Sequence, residues 1–411
     1  MRILIFGVLL LTACASTAQG STPTVTPVAK SEETATLTGE LAEEPTSTET
    51  AETLATSTPA PATNTPTVGA TPTATVVMQQ STWDPGVFHA GLSVFETGTD
   101  EVSVERLREA LDHYTSMGAN TFVYVYHLVQ EEYQASCVGP ENSDWKERLQ
   151  LFTREANLRG VNVVARPLLS EKNLGEGKWR GNIEPADIDA WFSCYLDHMM
   201  QLATLSESIG VDGLVVGSEF NSLENESLRW AQLILSLREV FSGELTYATN
   251  WDVFIHPDHP FRQSIDVGGQ SVTVDSLLDY SGLDFYFRND IDELTLENLS
   301  ASWEEWLAPL TESGVDLRRV MVVEFGICAR KGSYTVPYGC DHHQPIDEDE
   351  QELYYCSFFK RYGGEFRGVW VWLFTAYLPE EGDHVEPFSP FGYQAEHVIR
   401  SYFSDGKVTT C

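Results

Sequence analysis

Between residues 87 and 403 short apolar runs alternate eight times with longer stretches of helical period, and very few folds accept that order. The runs are 87–94, 121–126, 161–166, 213–217, 245–249, 282–287, 320–324 and 368–373. The clearest helical stretch is 188–209, where Trp191, Tyr195, Met199, Leu202, Leu205 and Ile209 recur every three or four residues and so share one face. Others lie near 103–117, 144–159, 226–241, 274–280, 296–313, 347–362 and 392–403. Strand-helix units repeated eight times predict a single (β/α)8 barrel. Connections from helix to strand are short and hold turn glycines (Gly118, Gly160, Gly210, Gly243), whereas those from strand to helix are long, at 127–142, 167–185, 250–273, 325–346 and 374–391. All the long loops would then gather at the C-terminal ends of the strands and form one functional face.

Two of the runs end in the same way. Gly213-Leu214-Val215-Val216-Gly217-Ser218-Glu219 and Val320-Met321-Val322-Val323-Glu324 each close on a glutamate followed by phenylalanine. A single strand-end glutamate is ordinarily ion-paired or solvated. Two in matching contexts, on the face expected to carry function, point instead to a paired-carboxylate site.

The flanks set the compartment. Arg2 precedes an apolar run from Ile3 to Leu11, too short to span a bilayer and of the length of a secretory signal. The ending Leu11-Thr12-Ala13-Cys14 resembles the bacterial lipobox, which implies a signal over residues 1–13, cleavage before Cys14, and a lipid on that cysteine that holds the protein to a membrane outside the cytoplasm. Residues 14–82 are rich in Thr, Pro, Ala, Ser and Glu and nearly free of aromatics, so they cannot bury enough apolar surface to order themselves. They read as a disordered tether with a reach of about 45 Å. Residues 83–411 contain no second low-complexity stretch and are expected as one domain.

The formal net charge of −36 lies mostly in that domain and argues against nucleic acid or anionic lipid headgroups as partners. Apart from Cys14, six cysteines remain: Cys137, Cys194, Cys328, Cys340, Cys356 and Cys411. An even number in an exported chain predicts disulfides, first of all Cys328–Cys340, which would close a loop just after the Glu324 strand. Whether Cys194 is bonded or merely buried stays open.

On the order of strands, Glu219 closes the fourth and Glu324 the seventh. In this the sequence resembles the clan A retaining glycoside hydrolases and, more narrowly, glycoside hydrolase family 113, the β-mannanase family. The phrases that carry the likeness are Gly118-Ala119-Asn120-Thr121, Trp179-Arg180-Gly181, Trp191-Phe192-Ser193-Cys194-Tyr195, Gly217-Ser218-Glu219, Thr246-Tyr247-Ala248-Thr249-Asn250-Trp251 and Val323-Glu324-Phe325-Gly326. The resemblance implies Glu219 as general acid/base and Glu324 as nucleophile, with carboxyls about 5–5.5 Å apart. It further implies that Tyr286, expected on the sixth strand, holds the nucleophile, and that Trp372 lies beneath the reactive sugar. The clan commonly has asparagine before the acid/base, to bind the sugar 2-hydroxyl; here that residue is Ser218, and Asn221 or Asn250 is expected to substitute.

Sugars present C–H faces that stack on aromatic rings, so Trp251 and Trp179, in long loops, join Trp372 as candidate platforms. Trp191, Trp230, Trp303 and Trp306 fall in helical patterns and are expected in the core. Arg166, ending the third run, is a candidate partner of either glutamate. Two clusters carry less than they suggest: His256, Asp258 and His259 with Asp341, His342 and His343 lack a spacing that would fix a metal, and Asp347-Glu348-Asp349-Glu350 suits the acidic first turn of a helix. The expectation is a monomeric, cofactor-independent retaining glycoside hydrolase on a β-linked polysaccharide, with β-mannan as the candidate. The residues themselves do not choose among mannan, glucan, xylan and peptidoglycan strands. The alternative is a non-catalytic carbohydrate-binding barrel, which needs the aromatic platforms but not both glutamates.

Overall fold

The computed structural model describes residues 87–95, 103–379, 387–408 and 411; the expected signal, Cys14, the tether and Trp83 lie outside them. Eight parallel strands follow one another around a closed sheet: β1 (His89–Phe95), β2 (Thr121–Gln130), β3 (Asn162–Leu169), β4 (Gly213–Ser218), β5 (Glu244–Asn250), β6 (Ser281–Asp284), β7 (Val320–Phe325) and β8 (Gly368–Thr375). β1 pairs with both β2 and β8, which closes the barrel. Counting one helix after each strand, the helices are α1 (Val104–Ser116), α2 (Trp145–Asn157), α3 (Ile188–Ile209), α4 (Ser227–Arg238), the single turn α5 (Val274–Leu277), α6 (Leu296–Glu312), α7 (Glu348–Tyr362) and α8 (Gln394–Asp405), and a further helical turn, Trp251–Phe254, lies in the loop after β5. This is the expected (β/α)8 barrel.

Local chemistry sets the helix ends. The side chains of Ser103, Asp187, Thr273, Thr295 and Asp347 each accept a backbone N–H of the first turn that has no partner within the helix. Asp347 caps α7, and Glu348, Asp349 and Glu350 fill its first turn, where the helix dipole favours negative charge. Gly210 ends α3 at φ 77°, a conformation that suits glycine.

The strands are apolar on both faces because both are covered. In β2, Phe122, Tyr124, Tyr126 and Leu128 pack outward against the helices, while Val123 and Val125 meet Val164, Val215, Met321, Val323 and Trp370 inside the barrel. Trp191, Trp230 and Trp303 are fully buried, as expected, whereas Trp306 is only half-buried.

Several strand boundaries differ from the sequence reading, β3 running on past Arg166 to Leu169 and β8 to Thr375, and two of the differences have a visible cause. β2 runs on to Gln130 because Leu128–Gln130 pair antiparallel with Val138–Pro140. β6 stops at Asp284, and Tyr286 lies beyond it: the Tyr286 N–H turns back to the Asp284 carbonyl at 3.1 Å, which ends the ladder. The cysteines pair as Cys137–Cys194, Cys328–Cys340 and Cys356–Cys411, so Cys194 is bonded. No helix among the described residues is long and apolar enough to cross a membrane.

Candidate active site

An extra residue lies in the strand just ahead of each glutamate. Between Val215 and Ser218, β4 uses three steps where β5 uses two, from Thr246 to Ala248. Between Val322 and Glu324, β7 uses two where β6 uses one, from Leu283 to Asp284. Such a bulge bends the strand and re-aims the side chains beyond it. Simple alternation from the inward Val323 would have turned Glu324 outward, toward the helices. Instead Glu219 and Glu324 line one cavity of about 610 Å³ at the C-terminal mouth of the barrel. Glycine is required within the first bulge and just beyond the second: a Cβ on Gly217 would meet the Tyr247 and Trp230 rings, and one on Gly326 would strike the Trp372 carbonyl.

Each carboxylate is gripped by one cation and one neutral donor. Arg166, at 0% exposure, lies under the cavity floor, where its Nη2 reaches Glu324 Oε1 and its Nη1 donates to the Val323 carbonyl at 3.0 Å. Its Nε donates to Ser218 Oγ at 3.2 Å. The Tyr286 hydroxyl donates to Glu324 Oε2 at 2.9 Å. Across the cavity Asn250 Nδ2 donates to Glu219 Oε1 at 3.0 Å and Arg180 Nη1 to Oε2 at 2.9 Å. Arg180 is itself steadied by Glu171 at 3.1 Å and by the Leu169 carbonyl at 2.9 Å.

Burial pushes the Glu324 carboxyl up to about 7; the Glu219 charge adds to the rise, while Arg166, Arg180 and the Tyr286 hydroxyl pull against it. Burial, aided by Glu324, likewise raises Tyr286, so it remains a protonated donor. Asp284 is completely buried 3.6 Å from Arg166, and neither of its oxygens has a hydrogen-bond partner. Burial and the Glu324 charge push its carboxyl well above the usual range, against the pull of Arg166.

Of the expected substrate-side residues, Trp372, Tyr286, Asn250, Trp251 and Trp179 line the cavity. Arg166 and Asn221 do not. Arg166 sits behind Glu324, with its guanidinium carbon 5.2 Å from the centre of the Trp372 ring, and acts through those two side chains. Asn221 is carried away because Phe220 buries against Trp191 and Trp230 and the chain then coils into a 3-10 turn. Asn250, not Asn221, therefore stands beside Glu219. Ser218, in the place where the clan has asparagine, is buried against Arg166 and does not line the cavity.

Sequence reasoning missed Arg180, Asp284, Glu171, Asp252, Tyr338 and Phe388. Arg180 follows Trp179 in a loop without period, and nothing in the spacing ties it to Glu219. His259 of the discounted histidine cluster is buried against Glu224 at 3.0 Å.

A model of Glycoside Hydrolase Family 113 matches residues 94–392. Among solved structures the chain resembles two described as GH113 β-1,4-mannanase: one, a complex, at 21% identity over 77% of this chain and 99% of that one, with a TM-score of 0.63, the other at 22% identity with the same coverage and TM-score. It also resembles the GH113 β-mannanase AaManA from Alicyclobacillus acidocaldarius in complex with ManMIm, at 19% identity, a TM-score of 0.63 and coverage of 77% and 97%. No curated protein sequence matches it. At such identities the structural likeness speaks for the fold, but the family match spans well over half of the sequence: the chain belongs to glycoside hydrolase family 113 and is a glycosidase.

Proposed function

We propose that this glycosidase cleaves the β-1,4-linked backbone of a mannan with retention of configuration, through a glycosyl-enzyme ester on Glu324. The observation that carries the reading is the pair of strand-end glutamates in one tryptophan-lined cavity, each fixed by its own cation and its own neutral donor. In the first step the Glu324 carboxylate attacks the anomeric carbon as the bond to the departing sugar oxygen breaks, and Glu219 gives that oxygen its proton. In the second step Glu219 takes a proton from water, whose oxygen displaces Glu324 and restores the free carboxylate. Arg166 and Tyr286 hold Glu324 in line, and Asn250 is placed to meet the sugar as well as Glu219. Trp372, steadied by Arg166, is the platform under the reactive sugar, and Trp179 and Trp251 are platforms to either side. Mannan is chosen because GH113 structures similar to this one are described as β-mannanases.

The two glutamates should fail differently. Glu324→Gln should abolish turnover on every substrate. Glu219→Gln should cripple mannan yet still form the glycosyl-enzyme from an activated aryl β-mannoside, and azide should accelerate that variant and yield a glycosyl azide of retained configuration. Undiminished turnover in Glu324→Gln, or an azide product of inverted configuration, would overturn the mechanism.

We further propose that the enzyme works at the outer surface of a membrane, held there by a lipid on Cys14. The support is the lipobox-like sequence at Leu11–Cys14 together with a tether-like composition over residues 14–82.

A further inference from the structure

Beside the catalytic cavity lies a larger groove of about 1110 Å³, bounded by the loop after β6, the outer side of α6 and the Thr335–Val336 turn. We propose that this groove is a second sugar-binding site, which holds the polymer chain several residues away from the bond being cut. The proposal rests on the reading of the cavity as a polysaccharide site and extends it.

Continuity is the first argument. Trp251 lines both the cavity and the groove. Its ring stacks on Tyr338, a cavity-lining side chain, at 6.3 Å and 17°, and meets Trp306 of the groove edge-on at 5.2 Å and 83°. Tyr338, Trp251 and Trp306 thus form an aromatic row that leads from one space into the other. A chain that stacks a sugar on Trp251 has its next ring within reach of Trp306.

The second argument is that Trp306 is held as a fixed platform. Its indole N–H donates to the Arg288 carbonyl at 2.7 Å, and its ring lies parallel to Phe287 at 6.0 Å and 6°. Even so it remains half-buried on a helix whose other tryptophan, Trp303, is at 0% exposure. An immobilised, partly open indole loses little entropy when a sugar face covers it.

The third argument is polar. Asn289 lies in the groove wall at 1% exposure. Its amide nitrogen donates to the carbonyls of Phe287 at 3.0 Å and Tyr334 at 2.7 Å, which fixes which end is oxygen, and that oxygen has no partner. Arg288, Asp290 and Glu305 add charges of both signs along the same groove. Rings interleaved with hydrogen-bonding groups, with only one more acidic than basic side chain, match a neutral sugar better than a lipid, a nucleotide or a peptide of strong charge.

Two variants test the site. Trp306→Ala removes the platform; Ala301→Trp fills the groove from an exposed position on α6. Each should raise KM for polymeric mannan about fivefold, the effect of one lost stacking platform, while kcat/KM for an aryl mannobioside, too short to reach the groove, changes by less than twofold. Should Trp306→Ala fail to fold, Ala301→Trp decides alone. Unchanged KM for polymer, or equal losses on polymer and short glycoside, would overturn the proposal. Affinity electrophoresis of Glu324→Gln in gels of mannan, glucan and xylan separates this question from the choice of substrate. Retardation by any neutral polymer that is lost on adding Ala301→Trp supports the groove even if wild type does not cut mannan, and retardation that is indifferent to Ala301→Trp refutes it.

Discussion

Glu219 is the only residue other than glycine, among those described, with a positive φ, and at 54° it stands in the left-handed region. Such a backbone costs a residue with a Cβ about 1 kcal/mol or more and is tolerated where surrounding structure enforces it, here the bulge in β4 and the 2.8 Å hydrogen bond from the Glu219 N–H to Ala248. Glu219→Gly and Glu219→Ala both remove the carboxylate, so comparing them isolates the backbone. Denaturant melts should find the glycine variant more stable by about 1 kcal/mol, although glycine ordinarily loses to alanine through its unfolded-state entropy; equal stabilities would show that no strain is stored there. Glu324 brings a second opposition. Its carboxyl is pushed up to about 7, so the ionised form that the proposed mechanism needs becomes the majority only above that pH, and kcat/KM should fall roughly tenfold per unit on the acid side. Tyr286→Phe, which removes a hydrogen bond to the carboxylate, should move that limb upward; a profile level down to pH 5 would refute the assignment. Stability runs the other way. A folded pKa above the unfolded value means that Glu324 contributes stability fully present below about 4, near the unfolded value, and lost as pH rises through about 7, so Glu324→Gln should gain on wild type from pH 4 to pH 8 in thermal melts.

At the level of elements, the loop after β7 is where covalent chemistry shapes the cavity. Cys328 and Cys340, 12 positions apart, are bonded and close a loop that carries Tyr338 to the cavity wall. Replacing both cysteines by serine should cost about 3 kcal/mol by the loop-closure argument and raise KM as Tyr338 loosens, both measurable on the purified protein; an unchanged midpoint of unfolding would show that the surrounding packing fixes the loop unaided. The barrel was legible in the chain because eight doubly covered strands must be apolar on both faces, and α3 was legible to the residue because one stripe of large side chains runs its whole length, from Asp187 at its cap to Gly210 at its end. Glu219 and Glu324 were legible as strand ends. What turns Glu324 inward was not, because a one-residue bulge leaves composition and period unchanged. Proximity in sequence misled for Asn221, two residues from Glu219 but swung away by the burial of Phe220, while Asn250 and Arg180 arrive from other loops. The pairings Cys137–Cys194 and Cys356–Cys411 join positions 57 and 55 residues apart, distances at which spacing carries no information.

For the molecule as a whole, the proposed anchor and the barrel are separable. Cys14→Ala should release the protein from membranes while leaving kcat/KM on soluble substrates unchanged within twofold, since residue 14 is far in sequence from every side chain of the cavity. Failure of a labelled fatty acid to mark the wild type in growing cells would rule the anchor out. The parallel order of the strands has a further bearing on how such an enzyme can be displayed. The chain enters β1 at His89, the end of the barrel farthest from the glutamates, because the C-terminal ends of all eight strands open on the opposite side. A bead or electrode attached directly at Val87, two residues before His89, therefore leaves the mouth turned toward the medium, and a stiff polymer can settle across it broadside without touching the support; grafting through the Tyr338 loop would turn that same mouth to the wall.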